Sequence, residues 1–337
     1  VKFKIIAAAI MCGVVSWGAA AQNISGAGAT FPAPIYQRWA SDAQPQLGFQ
    51  INYQSIGSGA GVNQISNRTV DFGATDAPLD AARLAASNLI QIPTVTGSIV
   101  LAYNLPGVDP GSLRLTPELL ADIYLGKITH WNDARLVAVN PGVPLRRMSI
   151  SPLYRADGSG TTWIYTKYLS EVSDTWRDQV GSGTSVRWPT GQGARGNEGV
   201  SSMVSRSPGS IGYVESSFAV INRLPVAQLQ NRAGNFVQPT AANVIAAALN
   251  AEFTPANGFV PNLLNQAGDQ TWPIVGATYL LIPTNAANPD RSRRVVEFVN
   301  WAFEHGDASA ARLHYVPLPA TVKHQLLQTL RDRLQIN

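Results

Sequence analysis

Apolar runs and amphipathic stretches alternate along most of this chain. The segments "GFQINYQSIG", "SIVLAYNLP", "RRMSISPLYRA", "GSIGYVE" and "TYLLIP" concentrate β-branched and aromatic residues, the composition of strands. Between them apolar residues recur every three or four positions, as on one face of a helix. Strands alternating with helices predict an α/β fold. Two further amphipathic helices are expected near the C-terminus, in "RRVVEFVNWAFEHG" and "PATVKHQLLQTLRDRL". There is no internal repeat.

Two of the strand-like runs, "SIVLAYN" (98–104) and "TYLLIPT" (278–284), each follow a segment long enough to close a lobe. Read as hinge strands, they divide the chain into a discontinuous first lobe, residues 23–100 plus 275–337, and a second lobe, residues 101–274. Read as ordinary buried strands, they belong to one sheet, and pattern alone does not decide. A length of 337 residues exceeds that of a typical single domain, so two lobes are expected.

The first residues have a different character. "VKFKIIAAAIMCGVVSWGAAAQN" places two lysines before an apolar stretch and then small residues, the layout of a secretory signal peptide over residues 1–22. The apolar run is short for a membrane span. The single cysteine, Cys12, falls inside this segment, so the mature chain is expected to carry no disulfide. Removing Lys2 and Lys4 lowers the formal charge from +4 to +2, and the remaining basic residues are dispersed, which argues against a nucleic-acid partner. Apolar residues at 45% and charged residues at 14% fit a well-buried globular protein.

Candidate chemistry gathers at three helix starts. In "GAGATFPAPIYQRWA", Thr30 is placed to cap a helix that carries Ile35, Tyr36 and Trp39. In "IGSGAGVNQI", Ser58 precedes a helical run with Val62 and Ile65. In "RADGSGTT", Ser159, Gly160, Thr161 and Thr162 lead into "WIYTKYL". At each, unpaired N–H groups and the positive end of the helix dipole stand beside a hydroxyl, the elements of an anion site. Each is also an ordinary capped helix, and sequence does not show that the three converge.

Two acids sharpen the expectation. Asp76 ends the strand-like run in "DFGATDAP", where an aspartate is commonly a turn residue. Facing a ligand, an ionised carboxylate only accepts hydrogen bonds. It therefore suits an oxyanion that keeps a proton, such as phosphate, and opposes sulfate, which keeps none. Arg155 offers a planar donor fork, and Asp157, two residues on, is placed to pair with it and offset its charge. A surface ion pair of little consequence is the alternative.

Other signals are weak. "GQGARG" matches G-x-G-x-x-G, but Pro189 interrupts the run before it and no acid closes a βαβ unit, so it reads as a glycine loop. "DGSGTT" lacks the lysine of a phosphate-binding P-loop. His130, His305, His314 and His324 do not cluster at metal-ligand spacing, and no glycine stands two residues before Ser58 or Ser159 as a nucleophile elbow requires. Neither an enzyme nor a cofactor is expected.

The motifs "GAGATFPAPIYQRWA", "NYQSIGSGAGVNQI", "VDFGATDAPL", "DIYLGKITHWND", "YRADGSGTT", "VRWPTGQGARGNEGV" and "GSIGYVE" stand in an order and spacing that resembles the phosphate-binding proteins of bacterial phosphate ABC transporters, over nearly all of the mature chain. The resemblance implies a type II-like periplasmic-binding-protein fold, with two α/β lobes, crossover hinge strands and a central ligand cleft. It implies donors to phosphate from Thr30, Phe31, Ser58, Arg155, Ser159, Gly160 and Thr161, a proton acceptor in Asp76, and Asp157 holding Arg155. Ala60 departs from the family's pattern, adding a methyl where the second helix begins. The expected partners are inorganic phosphate and the membrane permease subunits with their cytoplasmic ATPase, the expected location is the periplasm, and the expected state is a monomer. A binder of another oxyanion, a secreted phosphatase and a ligand-free adhesin are the rival readings.

Overall fold

The computed structural model describes residues 23–336, and the signal-peptide reading of residues 1–22 lies outside them. The chain begins with β1 (Ile24–Gly28), α1 (Ala33–Leu47), β2 (Ile51–Ser55), α2 (Ser58–Ser66), β3 (Phe72–Thr75), α3 (Ala81–Ala86) and β4 (Leu89–Tyr103). Its middle adds β5 (Arg114–Leu115), α4 (Pro117–Tyr124), α5 (Ala134–Val139), β6 (Ser151–Arg155), α6 (Gly160–Val172), α7 (Asp174–Gln179), β7 (Gln192–Ala194), α8 (Gly196–Arg206), β8 (Ser210–Glu215), α9 (Ser216–Ile221), β9 (Gln228–Gln230), β10 (Phe236–Val237) and α10 (Ala241–Leu249). Then follow β11 (Val275–Pro283), α11 (Pro289–His305), α12 (Asp307–Arg312), β12 (Val316–Pro317) and α13 (Ala320–Leu334).

The main sheet runs β2-β1-β3-β11-β4-β8-β6-β7, with β12 added to β4. β1 lies parallel to β2 and β3, and β6 lies parallel to β7 and β8. Between these parallel groups stands the antiparallel pair β11 and β4. The strands β10, β9 and β5 form a small second sheet. The result is a mixed α/β architecture of two lobes, each built on its own parallel strands.

β4 joins the two groups. Its 15 residues are all buried, and a strand buried on both faces reads as one continuous apolar run. It pairs with β11 from Leu89 to Ser98 and with β8 from Ile99 to Tyr103, so its partner changes within one residue step. The sequence reading began this strand only near Ser98. The earlier half was missed because Pro93 demotes a strand. Here the register slips opposite Thr278 and Tyr279, leaving Thr94 as an inserted residue beside the proline, so the missing N–H falls at a bulge.

The helices cover the sheet with predictable faces. α1 buries Ile35, Tyr36, Trp39, Ala40 and Ala43, the three- and four-residue spacing expected of one stripe. Gly48 ends it with φ +72°, the left-handed conformation that glycine adopts at helix C-termini. Of the expected C-terminal helices, α11 and α13 are present, and the short α12 lies between them.

Candidate functional site

Residues that follow the carboxyl ends of β1, β2, β3, β6 and β7 meet in the interior, the location at which α/β folds bind ligands. Ser58 is the first residue of α2 and is buried. Its hydroxyl oxygen accepts the N–H of Gly160 at 3.0 Å and that of Asp76 at 3.3 Å. One serine thus ties together the starts of α2 and α6 and the end of β3.

The hydroxyls around this point share a bonding pattern. Thr30 Oγ1 accepts from the Asn197 backbone N–H at 3.2 Å and from its side-chain amide at 2.7 Å. Thr161 Oγ1 accepts from Asn197 Nδ2 at 3.2 Å and faces Arg155 Nη1 at 3.4 Å. A hydroxyl has two lone pairs and one proton. With their lone pairs engaged by N–H donors, Thr30, Ser58 and Thr161 are each left with a proton to donate. Ser159 is also buried; it caps α6 by accepting the N–H of Thr162 at 3.0 Å.

Asp76 supplies the opposite character. It is 1% exposed, and its Oδ1 accepts the Thr278 hydroxyl at 2.8 Å. Its Oδ2 is buried with no hydrogen-bond partner. Burial pushes this carboxyl up to about 7, against the opposing pull of the Thr278 hydrogen bond, the Arg155 charge and the nearby Thr161 hydroxyl. An unpaired buried oxygen is costly in an isolated protein and is explained most simply by a group that completes it. Gly160 is required here. A Cβ on it would lie 2.6 Å from both Asp76 Cβ and Oδ2.

Arg155 is almost fully buried, and Asp157 takes its Nε at 2.8 Å and its Nη2 at 2.5 Å. The Asp157 Oδ1 also accepts the Gly196 N–H at 3.0 Å. Burial opposes ionisation of Asp157, but the Arg155 hydrogen bonds and charge outweigh it and hold its carboxyl below the usual range. This is a bidentate pair in the interior, not a surface contact. Gly57 packs on it with φ +93°, where a Cβ would come within 2.4 Å of Asp157 Oδ2. Behind Arg155, the Tyr213 hydroxyl accepts its backbone N–H at 3.0 Å and belongs to an aromatic stack with Tyr165 at 4.3 Å between centroids.

Two sequence readings need correction. Thr30 does not cap α1: the cap position is Pro32 with no side-chain cap bond, and the Thr30 hydroxyl is turned to Asn197 instead. The glycines of "GQGARG" are not all in a loop: Gly191 sits in a bend with φ +103°, but Gly193 lies in β7 (Gln192–Ala194) and Gly196 opens α8 with φ +71°. The three-residue strand is too short to show a period. That misreading hid Asn197, which is fully buried and bonds Thr30 and Thr161 while its Oδ1 accepts the Glu215 N–H at 2.9 Å. Its signal was an asparagine directly after a glycine at a helix start. Phe31 is buried, and its carbonyl accepts the Tyr315 hydroxyl at 2.6 Å.

Known proteins resemble this chain closely. A family model described as PBP superfamily domain matches residues 13–305. A protein of Pasteurella multocida named phosphate-binding protein PstS is 49% identical over 302 residues, covering 90% of this chain and 88% of its own. A PstS of the same description from Methanocaldococcus jannaschii is 35% identical, covering 83% of this chain and 78% of its own. Among solved structures, a high affinity periplasmic phosphate-binding protein bound with phosphate at pH 8.5 superposes with a TM-score of 0.71 at 25% identity, covering 90% of this chain and 93% of that one.

Proposed function

The chain belongs to the PstS family of phosphate-binding proteins within the PBP superfamily, and on that premise we propose that it is the solute-binding component of a phosphate ABC importer. It captures inorganic phosphate between its lobes and delivers it to membrane permease subunits coupled to a cytoplasmic ATPase. It works as a monomer in the periplasm, reached through cleavage of residues 1–22, and it binds rather than transforms its ligand. The lobes divide at residues 100–101 and 274–275, close to the step at which β4 changes partner.

The observation that carries this reading is the gathering of buried hydroxyls whose lone pairs are taken by N–H donors around one acceptor, Asp76 Oδ2, that has no hydrogen-bond partner. Thr30, Ser58 and Thr161 hydroxyls, the Phe31 backbone and the capped start of α6 at Ser159 offer donors to the phosphate oxygens, while the Gly160 N–H is given to Ser58 and orients its hydroxyl. Asp76 Oδ2 takes the remaining phosphate proton. Arg155 contributes its charge and Nη1, while Asp157 fixes its plane and cancels most of its net charge. The anion is then held by oriented dipoles in a dry site, which gives geometric selectivity without irreversible retention. Sulfate has no proton to offer and would set its lone pairs against Asp76. Closure follows from the ligand's better fit to the closed lobes.

Calorimetric titration of the ligand-stripped protein with phosphate, repeated in excess sulfate, tests this. Tight phosphate binding that ignores sulfate is the expected result. Equal competition by sulfate would remove the role given to Asp76, and no binding of either anion would remove the function itself.

A further inference from the structure

Glu215 lies at the point where β4 passes from one lobe to the other, paired with Ile99, and is fully buried. Its carboxyl receives the Ser216 hydroxyl at 3.1 Å, the Ser217 N–H at 3.0 Å, the Ser217 hydroxyl, and the Tyr315 hydroxyl at 2.9 Å. Tyr315 also lies against the Phe31 carbonyl at 2.6 Å and the Ser217 hydroxyl at 3.1 Å, the latter able to donate to it. A phenol carries one proton and cannot serve both acceptors.

The protonation of Glu215 decides between them. When Glu215 is neutral, it donates to the Tyr315 oxygen, Tyr315 donates to the Phe31 carbonyl, and the chain is complete. When Glu215 is ionised, the carboxylate competes for the Tyr315 proton and the Phe31 carbonyl loses its donor. Phe31 forms the turn into α1, beside Thr30. We infer that Glu215 and Tyr315 form a proton-gated relay that positions Phe31 and the entrance of α1 against the bound anion, an inference that rests on the phosphate-binding reading above.

Burial raises the Glu215 carboxyl to about 8, although the Ser217, Tyr315 and Ser216 donors favour its charged form. The gate therefore turns in the weakly alkaline range. Around Glu215, α9 contributes the neutral Ser216 and Ser217, and α8 contributes Asn197, whose Oδ1 takes the Glu215 N–H. The segment leading into β12 contributes Tyr315, whose own titration is pushed well up by burial, then by the charges of Glu215 and Asp76. Tyr315 thus keeps its proton throughout the range in which Glu215 titrates.

Calorimetry with inorganic phosphate across neutral to alkaline pH, on the wild type, Glu215→Gln and Tyr315→Phe, tests the relay. Glu215→Gln keeps a permanent donor toward Tyr315, so its affinity should fall less than that of the wild type as pH rises past about 8. Tyr315→Phe removes the only donor to Phe31 in the relay and should weaken binding about tenfold at neutral pH, the worth of one hydrogen bond. In the wild type the Phe31 carbonyl ¹³C shift should move with the Glu215 titration, and in Tyr315→Phe it should not. A wild-type pH profile retained by both variants, or a Phe31 carbonyl that ignores pH, would overturn the relay alone. A wild type that takes no phosphate would overturn the functional reading and the relay with it.

Discussion

Asp76 and Glu215 are both buried carboxyls at strand ends, one closing β3 and the other β8, and burial raises both, to about 7 and about 8. Their bonding differs. Glu215 gathers donors from Ser216, Ser217 and Tyr315, whereas Asp76 has a well-formed donor in Thr278, the Thr161 hydroxyl nearby, and an Oδ2 that no group meets at hydrogen-bond geometry. Ser98 and Tyr165 also carry a buried hydroxyl without a partner, but an unpaired carboxylate oxygen is the costlier group to leave so. The satisfied carboxyl holds backbone in place, and the unsatisfied one is the acceptor that the proposed reading gives to the phosphate proton.

The largest expected effect separates the two by selectivity. Asp76→Asn puts an amide donor where only an acceptor stood, so the preference for phosphate over sulfate should shrink by a factor on the order of 100 or more. Glu215→Gln should shift the affinity for both anions together, because Glu215 acts through Phe31. Competition calorimetry checks both. A loss of selectivity in Glu215→Gln as large as that in Asp76→Asn would erase the contrast.

Stability against pH sharpens it next. In the ligand-stripped protein both carboxyls keep their protons to higher pH than in the unfolded chain, where they titrate near 3.8 and 4.5. Between those values and about 7 and 8 the folded state binds more protons, so stability declines as pH rises through that window. The decline per group is at most on the order of 5 kcal/mol, at about 1.4 kcal/mol per unit. Thermal unfolding should show a flatter profile up to about 7 in Asp76→Asn and up to about 8 in Glu215→Gln. A slope untouched by either substitution would mean that neither carboxyl titrates as its burial requires.

Gly160→Ala is expected to have a smaller effect, and only on the ligand-facing side. Its methyl would meet Asp76 Cβ and Oδ2 at 2.6 Å, costing about 1–3 kcal/mol of stability by overpacking and weakening anion binding. Denaturant unfolding reads the first and calorimetry the second. Smallest is Ser55→Ala, which removes the exposed 2.9 Å bond to Glu198 between β2 and α8. It should speed phosphate release by only about twofold, since exposed bonds contribute a few tenths of a kcal/mol. Stopped-flow release measures it, and a tenfold change would place a main closing contact there.

Much of the ligand-facing side was legible in the chain. Ser159 caps the helix three residues on, and Arg155 meets an acid two residues on, so each signal lies within one turn. Thr30 was recognised as important but assigned the wrong partner, because its true partner, Asn197, stands 167 positions away. At the strand switch the strands were legible, with residues 98–104 read as a candidate crossover and "GSIGYVE" as a strand, but the side-chain contacts were not. Tyr315 meets Glu215 across 100 positions and Phe31 across 284, and no local pattern marks a tyrosine for such a contact.

The sequence by itself determined most of the segments that become strands and helices, though not the first half of β4 or the short β7, where helices α2 and α6 open, and that an acid stands beside the one arginine of "YRADGSGTT". These depend on hydrogen bonds and apolar spacing that close within a few residues. Tertiary structure alone decided that the helix starts converge, that Asp76 is left with an unpaired oxygen, and that Glu215 reaches Phe31 through Tyr315. Much of the reason is the return of β11 between β3 and β4, which brings Thr278 to Asp76, and of β12 onto β4, which brings Tyr315 to Glu215. These returns bring the last third of the chain against the first, and a pairing of strands so distant in sequence is set by the packing of the whole sheet, not by the residues on either side of it.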